Sequence, residues 1–88
     1  MSLQDKRALI TGASSGIGAA CARALAEQGT RVILTGRNEA ALEKIAEVTG
    51  GEAITADLRD MADIERLFTQ VGTHIDILIN NAGIAPKA

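Results

Sequence analysis

The sequence predicts an α/β fold: a parallel sheet of about four strands in the order 3-2-1-4, with helices on both faces. Three observations carry that expectation. Short apolar or β-branched runs at 8–11, 31–35, 53–55 and 75–80 alternate with helix-period segments throughout the chain. Such alternation calls for parallel strands joined by right-handed crossovers. Hydrophobic residues make up 47% of the chain and Phe68 is its one aromatic, so the core must be built from Ala, Ile, Leu and Val. That composition suits a parallel sheet covered on both sides.

The elements follow in order. The first strand ends in Thr11-Gly12-Ala13-Ser14-Ser15-Gly16-Ile17-Gly18, and a helix is expected over 19–28. Gly29 then suits the left-handed position that closes a helix. After the second strand come Gly36 and Arg37, with Asn38 as N-cap of the second helix. Leu42, Ile45, Ala46 and Thr49 share one face of that helix until Gly50-Gly51 stops it. Asp57-Leu58 follows the third strand, and Asp60 caps a third helix. There Ile64, Leu67, Phe68 and Val71 recur at i, i+3, i+4 and i+7. The polar turn Gly72-Thr73-His74 leads into the fourth strand, which closes on Asn80-Asn81-Ala82-Gly83. Helices one and two are expected on one face of the sheet and helix three on the other. No linker, repeat or low-complexity tract divides the chain, so residues 1–88 read as one small domain of marginal stability.

The residue types bound the chemistry. A formal charge of −2 provides no basic field to attract nucleic acid or an anionic membrane. The apolar runs are too short to span a bilayer, and no signal peptide is read ahead of the first strand. Cys21 is the lone cysteine. It falls among Ala19, Ala20, Ala22 and Ala24, where a small buried thiol is expected, and the cytoplasm is the natural compartment. With no Cys/His cluster, no metal site is expected. His74, the only histidine, stands at the amino end of its strand, away from where open α/β sheets gather ligands.

The glycine-rich run between the first strand and helix is suited to phosphate. It lets backbone approach closely and offers the free N–H groups of a helix N-terminus. Ser14 and Ser15 can add hydroxyl donors. A nucleoside-triphosphate P-loop does not fit, because no Gly-Lys-Ser/Thr follows at the required spacing. The spacing is Gly-x-x-x-Gly-x-Gly, and with Asn80-Asn81-Ala82-Gly83 closing a later strand the chain resembles the start of a short-chain dehydrogenase/reductase over its whole length. It looks most like the single-domain branch that includes 3-oxoacyl-acyl-carrier-protein reductases.

The resemblance implies part of an NAD(P)-binding Rossmann fold, with Gly12, Ser14, Ser15, Gly16, Ile17 and Gly18 around the cofactor pyrophosphate. Gly36 stands where an acidic residue would hold the ribose hydroxyl of NAD, and the guanidinium of Arg37 can grip a 2′-phosphate. NADP(H) is therefore expected over NAD(H); the alternative for Arg37 is a solvated side chain paired with Glu39. By resemblance Asp57 accepts from the adenine amino group and Leu58 offers its N–H nearby, although Asp57 could instead cap the following turn. Asn81, Ala82 and Gly83 are expected on the cofactor side, and the two asparagine amides can also bond to backbone left free by the glycine turn.

The family reaction uses a Tyr-x-x-x-Lys pair and an upstream Ser beyond Asn-Asn-Ala-Gly. This chain contains no tyrosine, and Lys6, Lys44 and Lys87 stand in no such motif, so no catalytic residue is assigned. The expectation is the truncated cofactor-binding portion of an NADP(H)-dependent oxidoreductase acting on carbonyls or secondary alcohols, inactive by itself. A non-catalytic NADP(H)-binding module and a self-associating structural fragment stay open as alternatives. In intact members the fourth strand pairs with a fifth. Here its apolar edge would be bare and is expected to recruit a second copy, giving a homodimer or larger assembly.

Overall fold

The structure, a computed structural model, describes residues 3–14 and 16–81. Seven elements alternate: β1 (Arg7–Thr11), α1 (Gly16–Glu27), β2 (Arg31–Gly36), α2 (Glu39–Thr49), β3 (Glu52–Thr55), α3 (Met61–Val71) and β4 (Ile77–Asn80). All strand pairs are parallel, and the order is β3-β2-β1-β4. The chain thus steps outward from β1 to β3 and then crosses back to place β4 on the other side of β1.

Alternation along each strand divides the core in two. Ala8, Ile10, Val32 and Leu34 point to one face and pack with Ala22 of α1 and Leu42 of α2. Leu9, Ile33 and Ile54 point to the other and pack with Leu67 and Val71 of α3. The predicted order and the predicted sides of all three helices are as observed. Both predicted N-caps also form: Asn38 Oδ1 accepts from Ala41 N at 3.0 Å, and Asp60 Oδ1 accepts from Ala62 N at 2.9 Å. Gly50 closes α2 in the left-handed conformation.

Four details depart from expectation. Helix α1 begins at Gly16, so Gly16 and Gly18 belong to its first turn rather than to the loop. Strand β4 begins at Ile77, because Asp76 meets Arg7 with its carboxylate: Arg7 N donates to Asp76 Oδ2 at 2.9 Å, while Asp76 N donates to Arg7 O. Phe68 is 51% exposed, since the core on the α3 side draws on β1, β2 and β3 and not on β4. Leu78 of β4 is correspondingly 59% exposed. Cys21 is half-buried rather than buried, as the inward positions of α1 are Gly18, Ala19 and Ala22.

The amino end of the sheet is closed by Arg7. Its Nη1 donates to His74 O at 2.8 Å and its Nη2 to Val71 O at 2.9 Å, which ties β1 to the end of α3 and the turn beyond it. The His74 Nε2 stands 3.3 Å from Asp76 Oδ2. The Arg7 backbone N–H holds the Asp76 carboxyl below its ordinary range, with smaller contributions from His74 and Lys6.

Candidate functional site

At the carboxyl end of the sheet, loops leave β1, β2 and β3 side by side. The point where the strand order reverses lies between the ends of β1 and β4, the place where open α/β sheets bind ligands. Hydrogen bonds join these loops to one another. Ala13 N donates to Thr35 O at 3.2 Å, and Ala56 N donates to Gly36 O at 2.8 Å. Asn81 Nδ2 donates to Gly12 O at 3.2 Å, and Asn81 N donates to Thr11 Oγ1 at 2.9 Å. Thr11 Oγ1 in turn donates to Asn80 Oδ1 at 3.0 Å. Residues distant in sequence are therefore held as one rim. The Asn81 amide does what the sequence suggested, bonding to glycine-turn backbone.

The turn after β1 depends on glycine at two places. Gly12 has φ of 63°, in the left-handed region that side chains disfavour. At Gly18 a Cβ would overlap the Gly12 carbonyl oxygen and lie 2.9 Å from Ala13 Cα. The absence of that Cβ lets α1 start directly against the turn, which sets a helix N-terminus beside the end of β1. Ser14 is exposed and borders Gly36, where an added Cβ would stand 3.5 Å from Ser14 Oγ. Ile17 is exposed at the same end of α1.

Arg37 is exposed and takes part in no hydrogen bond or ion pair among the described residues, so the pairing with Glu39 does not form. Asp57 is engaged by its own loop through three bonds from Arg59. Its Oδ1 accepts from Arg59 N at 3.0 Å and Arg59 Nε at 3.1 Å, and its Oδ2 accepts from Arg59 Nη2 at 3.1 Å. The turn-capping alternative for Asp57 is thus realised. Those side-chain bonds from Arg59, then its backbone N–H, bring the Asp57 carboxyl down from 3.8 to about 2, with a minor pull from Arg37. Leu58 packs against the α3-side core. Ser15, Ala82 and Gly83, also expected at the site, lie outside the described residues.

Three participants were not anticipated. Thr11 joins β1 to both asparagines, Arg59 occupies Asp57, and Asp63 Oδ2 accepts from Asp57 N at 2.8 Å. Only Arg59 left a trace in the sequence: Asp-x-Arg is a spacing at which an Asx turn can be closed by both backbone and side chain. Among the described residues no group of acidic, His and Cys side chains could hold a metal ion, and no helix is long and apolar enough to cross a membrane.

The donor set fits a dinucleotide. A helix N-terminus held against a Cβ-free turn suits a diphosphate, and an unpaired guanidinium one strand away suits a further phosphate. Together these features have the form of an α/β unit suited to a dinucleotide. The profile of the short chain dehydrogenase family matches residues 6–88, and the chain belongs to that family, whose members bind nicotinamide dinucleotides. It is 41% identical over 86 residues to an uncharacterized oxidoreductase of Staphylococcus epidermidis, covering 92% of this chain and 37% of the relative. It is 42% identical to the 3-oxoacyl-acyl-carrier-protein reductase FabG of Vibrio harveyi, covering 96% and 36% of the two chains. The RhlG/NADP active-site complex of Pseudomonas aeruginosa superposes with a TM-score of 0.83 at 39% identity, over 97% of this chain and 37% of that one. The chain thus spans little more than a third of the length of these relatives.

Proposed function

We propose that this chain forms the cofactor-binding portion of an NADP(H)-dependent oxidoreductase that reduces carbonyls or oxidises secondary alcohols. The carrying observation is the pairing of the Gly12–Gly18 contact with the uncommitted Arg37 across the ends of β1 and β2. Gly12, Ser14, Ser15, Gly16, Ile17 and Gly18 would surround the pyrophosphate. Arg37 would take the 2′-phosphate, and Asp57 and Leu58 the adenine. Asn81, Ala82 and Gly83 would lie along the nicotinamide ribose. When bound, the cofactor supplies the hydride. The Tyr-x-x-x-Lys expected of the family is not among the 88 residues, so binding without turnover is expected of this chain by itself.

NADPH fluorescence titration tests the reading. Saturable binding is expected, weakened about tenfold or more by Arg37→Asp, while NADH binding changes little. No binding at millimolar NADPH rejects it. We place the chain in the cytoplasm, where a lone thiol stays reduced.

The isolated chain is further proposed to self-associate along β4, as a homodimer or larger. The edge of β4 away from β1 pairs with no strand among the described residues, and Leu78 is exposed beside it. Light scattering after size exclusion should give a mass of at least two chains; a clean monomer at high concentration would end that idea.

A further inference from the structure

We propose that Arg59 sets the base specificity of this site by fixing the Asp57 carboxylate as an acceptor with one open position, matched to an N–H of a 6-aminopurine. The inference rests on the reading that a dinucleotide binds here with its base at Asp57.

A carboxylate offers about four acceptor positions. Arg59 fills three of those of Asp57, two on Oδ1 and one on Oδ2, and no other group among the described residues shares them. What is left is one position on Oδ2. The loop behind it is equally constrained. Asp57 N donates to Asp63 Oδ2, and Asp60 N donates to Asp57 O at 2.9 Å. Asp63 is itself 3.5 Å from Arg66 Nη2, which donates to Thr55 O at 2.8 Å. Neither the backbone nor the carboxylate at position 57 can turn without breaking several of these contacts.

The cations around Asp57 act in the same direction: Arg59 and, more weakly, Arg37 favour its ionised form. A fixed carboxylate can only accept. It takes an amino N–H of adenine and repels the carbonyl lone pairs of a 6-oxopurine. A carboxylate free to rotate away would lose that discrimination. An isolated exposed ion pair contributes little, but a bidentate pair closed over two residues has the geometry in which such pairs count. The Arg59 side chain is 75% exposed, so replacing it should leave the core intact.

The test compares NADPH with its hypoxanthine analogue on the full chain, wild type, Arg59→Ala and Arg59→Lys, by nicotinamide fluorescence. In wild type the analogue should bind about tenfold or more weakly than NADPH. In Arg59→Ala that ratio should fall to about threefold or less. Arg59→Lys should be intermediate, because an ammonium cannot bridge both oxygens. Without ligand, the Asp57 carboxyl followed by NMR should titrate near 2 in wild type and move toward 3.8 in Arg59→Ala. If both ligands weaken by the same factor and the ratio stays put, the proposal is overturned while dinucleotide binding stands. If wild type binds neither ligand, the dinucleotide reading fails and takes the proposal with it. Should Arg59→Ala not fold, the Arg59→Lys ratio decides: a value equal to wild type overturns the proposal.

Discussion

The two ends of the sheet are built for different work. At the amino end, Arg7 binds the Val71 carbonyl at the end of α3 and the His74 carbonyl in the following turn, Asp76 answers the Arg7 backbone, and His74 stands against Asp76. At the carboxyl end the loops are joined to one another through Thr11, Gly36 and Asn81, yet Arg37, Gly16 and Ile17 are exposed. One end spends its polar groups on itself and contributes stability. The other keeps donors available around a rigid rim, which is what binding requires.

The largest effect should come from Gly18→Ala. Its Cβ has nowhere to go but into Gly12 backbone, so stability should drop by about 1–3 kcal/mol and NADPH binding should disappear. Gly16→Ala is the control: nothing stands within 4 Å of its added Cβ, and urea unfolding should show no loss. Equal loss in both variants would mean that the close approach of turn and helix is not what Gly18 provides.

Arg7→Ala should cost about 1–3 kcal/mol by leaving the part-buried Val71 carbonyl without its partner and losing the exposed bond to His74 O, while the NADPH dissociation constant of the folded protein stays unchanged. A change in affinity would erase the division between the two ends.

The smallest effect is on acid stability. Asp57 and Asp76, one at each end, both have carboxyls held below 3.8. Each contributes stability that is fully present above that unfolded value and is lost as pH falls through the folded one, which for Asp57 is about 2. Urea midpoints should therefore decline below about pH 4, and less steeply in Asp57→Asn and Asp76→Asn. A midpoint flat down to pH 2 would contradict both pairings.

Local pattern made much of this legible. Asn38 and Asp60 were recognisable caps because capping involves residues within one helical turn. The stripe Leu42, Ile45 and Ala46 marked a core face for the same reason. Phe68 followed an equally good stripe and is exposed, because periodicity reports which side of a helix is apolar and not how far the opposing surface extends. The place of Asp57 at a strand end marks it as a turn cap, but that the cap is closed by the Arg59 side chain depends on the rotamer of a residue two positions on.

The order of residue types alone determined the strand and helix succession and the glycine turn through short-range periodicity. With the doubly wound pattern those elements match, it also indicated the sheet order 3-2-1-4 and the sides of the helices. Folding in three dimensions decided where β4 starts, that Asn81 reaches Gly12, and that Asp57 already carries a partner. The first two join residues about seventy positions apart and were settled only when the strands came into register, while the third depends on the side-chain rotamers of two residues in one loop.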